Sequence, residues 1–275
     1  MIYQQNEYDS LKKVIVCPPT YMEIKKVINE TQKFYENDNI DIKIATKQHQ
    51  HFVDTLKKHE VEVIELFTDP KLNEQVFTRD IGFTIGDTLY TAEMGRNIRK
   101  PEIDVLTQVL DQQAITYQAL KTRSIEGGDV IVAEDKVWVG NSQRTTSRAI
   151  SALQQHLPNK DVVEVPIRED ILHLDCAFNL VSDEVGLIYS PAFKKEDAEK
   201  LHERYDLIEV ADREQFTLGT NVFSIGDKKV ISLPENKKTN RHLSQKGFKV
   251  IEVEFSEIIK SGGSFRCCTL PIERN

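Results

Sequence analysis

The strongest constraint on this chain is that it repeats itself. Four segments, GFTIGDTLYTA (82–92), DVIVAEDKVWVG (129–140), FNLVSDEVGLIYS (178–190) and NVFSIGDKKVISL (221–233), share one plan: an apolar run, a tight acidic turn, a second apolar run. Their turn residues Asp87, Asp135, Asp183 and Asp227 follow one another at intervals of 48, 48 and 44 residues. Short runs broken by Gly-Asp-type turns read as β-hairpins. After each hairpin the apolar period changes to that of a helix, with Ile103, Leu106 and Leu110, then Ile150, Leu153 and Leu157, then Ala198, Leu201 and Tyr205 at i, i+3, i+7. The fourth such stretch, 235–246, is polar apart from Leu243. A further strand follows each time: 115–120, 162–167, 207–211 and 250–255.

The N-terminal part fits the same plan, with a strand at 12–19, a helix near 44–59 and a strand at 61–67, but it lacks one hairpin strand. RCCTLPI (266–272) at the other end supplies it and closes a ring. The predicted fold is therefore α/β, five ββαβ units in a closed five-bladed propeller, one domain over 1–275. A single unit cannot bury its apolar face alone, and closure removes exposed sheet edges. The least patterned stretch, 19–43, is either a loop over a site or an ordinary surface loop.

Composition narrows the partners. Thirty-six Lys+Arg against 44 Asp+Glu give a net charge of −8, which argues against nucleic acid and is compatible with a cationic ligand. No apolar run reaches the ~18 residues of a membrane span, and Met1–Ser10 does not resemble a secretory leader. Cys17, Cys176, Cys267 and Cys268 form no CxxC, so neither a disulfide framework nor a zinc site is expected, and a reducing cytoplasm is. His49 and His51, at i, i+2 on a helix, face different ways and make no metal site; Cys17 reads as core.

Three places interrupt the repeat at the same point, just before a hairpin: Phe77-Thr78-Arg79-Asp80, Glu126-Gly127-Gly128-Asp129 and His173-Leu174-Asp175. The paired glycines suit a close backbone approach. On an extended chain His173 and Asp175 share a face, roughly 6–7 Å apart. Equivalent positions in a ring of repeats converge on its axis, which brings Asp80, Glu126, His173 and Asp175 together. A glycine-rich loop, Ser261-Gly262-Gly263-Ser264, delivers Cys267 and Cys268 to the closing strand, where alternation sends them to opposite faces.

The motifs FTRD (77–80), EGGDV (126–130), the Arg-Thr of SQRT (142–145), HLD (173–175) and GGSFRCCT (262–269) resemble those of the guanidine-modifying enzymes of the pentein fold. That superfamily holds arginine deiminases, dimethylarginine dimethylaminohydrolases, agmatine deiminases and amidinotransferases. The resemblance implies Cys267 as nucleophile, His173 as general acid and base, and Glu126 as the group that holds the imidazole and faces the guanidinium. It implies Asp80 and Asp175 as carboxylates on the guanidinium nitrogens and Arg144 on the substrate's α-carboxylate, with Arg96 or Arg99 assisting. A guanidinium carbon is a poor electrophile, so a thiolate is needed to attack it, beside carboxylates that offset burial of the charge. The scheme calls for no metal and no organic cofactor.

The implied reaction is hydrolysis of a small guanidino compound, arginine or an Nω-methylated arginine, to citrulline through an S-alkylthiouronium intermediate. An amidinotransferase is the alternative, and a non-catalytic pentein binding protein is third, disfavoured by the catalytic set. The chain length resembles the dimethylarginine enzymes and the His-Leu-Asp motif the deiminases. In the former a lysine typically stands where Asp175 does. A carboxylate there wants N–H donors, which a dimethylated nitrogen lacks. The expected partner is thus a small cationic guanidino substrate, with homo-oligomerisation left open.

Overall fold

The computed structural model describes residues 1–120 and 122–275. It contains five three-stranded sheets. Each is built on a central strand: Leu11–Val16, Thr88–Thr91, Lys136–Asn141, Val185–Ile188 or Lys229–Ser232. Every central strand pairs antiparallel on one side and parallel on the other. In four sheets the antiparallel partner comes from the hairpin, whose tight turn suffices; in the first it comes from the other end of the chain. The parallel partner needs a crossover, and a helix supplies it in each unit. These helices are Ile42–Lys58, Pro101–Gln112, Ser147–His156, Lys195–Arg204 and Lys237–Gln245. Local chemistry sets their starts: Asp41 and Thr146 accept hydrogen bonds from first-turn amides, and Pro101 opens its helix where no N–H is needed.

The first unit joins the two ends of the chain. Val14 pairs with Pro271 and Ile15 with Leu270. The closing strand is Leu270–Arg274, however, and 266–269 is not extended. Cys268 N donates to Ser264 O at 3.0 Å and Thr269 N to Arg266 O at 3.1 Å, so these residues form a turn. The predicted alternation of Cys267 and Cys268 along a strand is thereby corrected. Likewise 174–176 is a 3-10 turn, and His173 and Asp175 are not neighbours on an extended face.

Apolar packing explains why no unit stands alone, because each helix buries its stripe against residues of the unit before it. Leu106 and Leu110 cluster with Ile15 and Leu270, Ile150 and Leu153 with Phe83. Leu201 packs with Ile131 and Trp138, and Leu243 with Val181 and Leu187. Phe52 and Leu56 of the first helix meet Phe223 and Ile231 of the last hairpin. The core is five clusters, each spanning two or more units.

The turns that precede the hairpins are stitched into a closed ring around the axis. Gly127 N donates to Asp80 O at 3.1 Å. Leu174 N donates to Asp129 Oδ1 at 2.9 Å and Asn221 Nδ2 to Asp175 O at 3.3 Å. Cys267 N donates to Asn221 Oδ1 at 3.1 Å. Arg79 N donates to Cys267 O at 3.0 Å, which returns the circuit to its start. The fivefold topology thus holds one short turn from every unit at the axis.

Candidate active site

Asp80, Glu126, His173, Asp175 and Cys267 all lie on or beside that ring, and all are buried. His173 stands between two carboxylates. Its Nε2 is 2.7 Å from Glu126 Oε2 and its Nδ1 is 3.5 Å from Asp80 Oδ1. Burial opposes charge on the imidazole, but Asp80, Glu126 and Asp129 outweigh it and push its pKa up to about 10. The ring is therefore an imidazolium near neutral pH and donates to Glu126. Glu126 is held well below the usual carboxylate range: burial works against this, but the His173 hydrogen bond and the charges of His173, Arg144 and Arg99 prevail. Its other oxygen accepts from Gly95 N at 2.9 Å.

The glycines of EGGDV have a steric reason. A Cβ on Gly127 would lie 2.2 Å from Arg79 O, and one on Gly128 would lie 2.8 Å from both Asp80 Oδ1 and the His173 ring. Only a bare backbone lets these turns approach so closely.

Asp175 faces Cys267, whose Sγ is 3.7 and 3.8 Å from the two carboxylate oxygens. Asp175 is itself fixed by Arg266 Nη1 at 2.8 Å. Arg266 reaches on to Glu7 Oε1 at 2.9 Å, and Glu7 also faces Arg79 at 3.5 Å. Arg79, Arg266 and Arg274 are wholly buried along the axis with Glu7 among them. Sequence reasoning missed Glu7 and Asn221 and assigned no role to Arg79 or Arg266. The two arginines stood inside the quoted FTRD and GGSFRCCT motifs, which was the available signal.

Arg99 and Arg96 part company. Arg99 is buried and spends its guanidinium on Asp80 Oδ2 at 2.5 Å and Glu102 Oε2 at 2.8 Å. Arg96 is exposed and lines only an outer chamber. Arg144 stands between, with Nη1 3.5 Å from Glu126 Oε2 and Nη2 donating to Ile28 O at 3.2 Å. Asp80 Oδ1 and His173 Nδ1 have no hydrogen-bond partner among the described residues.

The inner cavity, lined by Asp80, His173, Cys267, Arg99, Arg144 and Glu74, holds only about 10 Å³ of open space. An outer chamber of about 520 Å³ lies beyond it. Ile28, Asn29, Arg144 and Leu172 line both and form the wall between them. The stretch 19–43 thus covers the site; it carries the short helix Glu30–Phe34 and is tied down by Gln32, which donates to Glu74 Oε1 at 2.8 Å and Ser261 Oγ at 2.7 Å.

Two trios of metal-ligand types fall here, Asp80–Glu126–His173 and Asp175–Cys176–Cys267, each with its atoms within 4.8 Å of one another. In the first, the two imidazole nitrogens are turned to the two carboxylates themselves. No helix among the described residues is long and apolar enough to cross a membrane.

Comparison with known proteins gives this arrangement a lineage. The family profile described as "N,N dimethylarginine dimethylhydrolase, eukaryotic" matches residues 18–274. The chain is 52% identical over 270 residues to the uncharacterized protein YkgA of Bacillus subtilis, covering 98% of this chain and 94% of that one. It is 27% identical over 266 residues to the N(G),N(G)-dimethylarginine dimethylaminohydrolase of Mycobacterium tuberculosis, covering 95% and 86%. It is 29% identical over 272 residues to an arginine deiminase of Listeria monocytogenes, covering 79% and 66%. Among solved structures, the amidinotransferase SxtG of Microseira wollei superposes with a TM-score of 0.85 at 18% identity, covering 100% and 97%. The product-bound N-terminal domain of ArgZ, a cyanobacterial arginine dihydrolase, does so with a TM-score of 0.87 at 20% identity, covering 97% and 98%. The chain belongs to the N,N-dimethylarginine dimethylhydrolase family and is an enzyme of the guanidino-modifying pentein superfamily, with that superfamily's five-bladed fold.

Proposed function

We propose that this enzyme hydrolyses the guanidino group of arginine or an Nω-methylated arginine to citrulline, with Cys267 as the nucleophile. One observation carries the reading: a buried thiol lies 3.7–3.8 Å from a carboxylate and shares its cavity with a histidine clasped between two more carboxylates. Neutral substrates have no use for such an acidic floor, whereas a planar cation with N–H donors on all sides satisfies it.

The guanidinium enters from the outer chamber, which requires the wall of Ile28, Asn29, Leu172 and Arg144 to part. Its nitrogens take the unpartnered Asp80 Oδ1 and Asp175 Oδ1, the oxygen that Arg266 does not bind. Arg144, on both sides of the wall, and exposed Arg96 are the cations for an α-carboxylate. Arg99 stays with Asp80 and Glu102 and holds Asp80 in place.

The arriving cation favours thiolate over thiol. Sulfur attacks the guanidino carbon, and the C–N bond to the terminal nitrogen breaks as His173 gives that nitrogen its proton. Glu126 keeps the imidazole aimed throughout. The neutral imidazole then takes a proton from water, the resulting hydroxide attacks the thiouronium carbon, and Cys267 leaves with the ureido product formed.

Acceptor-only carboxylates on both flanks favour a terminal nitrogen that still carries N–H bonds, so arginine and its monomethyl form should outrank the dimethylated one. A panel of arginine, its methylated forms, agmatine and guanidino acids, assayed for ureido product and released amine, tests this. Citrulline with ammonia or methylamine is expected. No product from any member would end the reading, and product strictly dependent on an added amine would replace hydrolysis with amidino transfer.

A further inference from the structure

Cys176 has no part in the reaction above, yet it sits against the nucleophile. The ring of turns puts it there. Asp175 and Arg266 form a buried ion pair at 2.8 Å, and each is followed in the chain by a cysteine. Asn221 locks the same two turns, donating to Asp175 O at 3.3 Å while accepting from Cys267 N at 3.1 Å. The outcome is two buried thiols within 4.8 Å of each other, both directed at Asp175 Oδ1, at 3.6 Å from Cys176 and 3.8 Å from Cys267. Cys176 is at the end of a 3-10 turn and Cys267 follows a glycine-containing loop, so neither thiol is locked inside a helix or a paired strand.

We propose that Cys176 is a resolving thiol, and that a small peroxide converts Cys267 and Cys176 into a disulfide that a dithiol reverses. This rests on Cys267 being the reactive thiol of the site. The Cys267 thiolate attacks one peroxide oxygen; the O–O bond breaks, the sulfur is oxidised to a sulfenic acid, and the released hydroxide is protonated to water. Cys176 then attacks that sulfur and loses its proton; the S–S bond forms, the S–O bond breaks, and the second oxygen leaves as water. Two thiols have lost two protons and two electrons, and hydrogen peroxide has become two waters. Forming a bond of ~2.05 Å requires the sulfurs to close by no more than ~2.8 Å, within reach of side-chain rotation with a small loop shift.

Cys268 is the competing partner and the poorer one. It is adjacent to Cys267 in a tight turn whose amide is already spent on Ser264 O, and a bond between sequence neighbours forces an eight-membered ring onto that backbone. The bond to Cys176 blocks sulfinic acid at Cys267, the irreversible step of thiol oxidation.

The test is to treat the full-length protein with hydrogen peroxide, block remaining thiols, and map peptides without reduction. Expected are a fall from four free thiols to two, a linked peptide pair containing Cys176 and Cys267 that is two hydrogens lighter than the separate peptides, and full return of four thiols on adding dithiothreitol. In both Cys176→Ser and Cys176→Ala, the same treatment should leave Cys267 two or three oxygens heavier and not rescued by dithiothreitol. A Cys267–Cys268 or Cys17–Cys268 link, or wild-type Cys267 carried to sulfinic acid with Cys176 still free, would overturn the proposal. The thiol count and map need no turnover. A bond that forms in a protein inactive on every guanidino compound would sink the functional reading and leave this one standing.

Discussion

Gly127 and Gly128 are adjacent and both face the axis, yet their substitution by alanine should fail in different ways. A Cβ on Gly127 would meet Arg79 O at 2.2 Å and Gly82 O at 2.4 Å, both backbone atoms of the ring and the first hairpin. Neither can retreat without moving a strand, so Gly127→Ala should cost stability, about 2–4 kcal/mol by the usual toll of overpacking and backbone strain. A Cβ on Gly128 would meet Asp80 Oδ1 and the His173 ring, each at 2.8 Å. Those are side chains that can yield, and ordinary contact needs a shift of roughly 0.6 Å. The shift falls on the imidazole proposed to protonate the leaving nitrogen. A misplacement of that size costs ~10- to 100-fold in kcat/KM, or about 1.4–2.7 kcal/mol of transition-state stabilisation. Urea denaturation of both variants, with ureido product assayed on the best substrate of the panel, separates the cases. Gly128→Ala that is well folded and within about twofold of wild type in kcat/KM would refute the use of the Asp80–His173 contact in catalysis.

Three further outcomes follow from the same geometry. The His173 pKa is raised from 6.5 to about 10 against the pull of burial, so its charge stabilises the fold fully below pH 6.5 and is lost as pH rises through about 10. Wild type should lose on the order of 1 kcal/mol per pH unit across that window relative to His173→Gln; parallel stability profiles would contradict this. Glu7→Gln removes a counter-charge from Arg79, Arg266 and Arg274 and should destabilise by about 3–5 kcal/mol, and a loss under about 1 kcal/mol would show that the axial arginines do not need it. Iodoacetamide should alkylate Cys267 first and block turnover, while Cys268→Ala keeps activity and the same labelling; alkylation of Cys268 with Cys267 untouched would reverse the choice of nucleophile.

Much of the fold could be read because the repeat is a local property. Each hairpin and crossover helix is marked by its own turn residues and period, and even the polar helix 237–245 is pinned where predicted by Leu243, with Asn240 donating to Leu233 O. Convergence of Asp80, Glu126, His173 and Asp175 followed from their equivalent places in that repeat. What stayed hidden are contacts between units. Phe265, Cys267, Cys268 and Thr269 have the composition of a strand, but Thr269 Oγ1 donates to Phe265 O and Arg266 O, and the Arg266–Asp175 pair binds the turn to a distant unit. Glu7 lies outside every repeat, so nothing near it announces a carboxylate buried among three arginines. Asn221 looks like a polar residue before a hairpin, and its two hydrogen bonds across the axis depend on closure of the ring.

The central claim is covalent attack by Cys267 on a guanidino carbon. Mixing enzyme with the preferred substrate, quenching in acid within one turnover and mapping the adduct by mass spectrometry addresses it directly. The mechanism requires an adduct on Cys267 equal to the substrate less its released amine, absent from Cys267→Ser, which also forms no product. Turnover with no adduct on Cys267, or ureido product from Cys267→Ser at the wild-type rate, would contradict it.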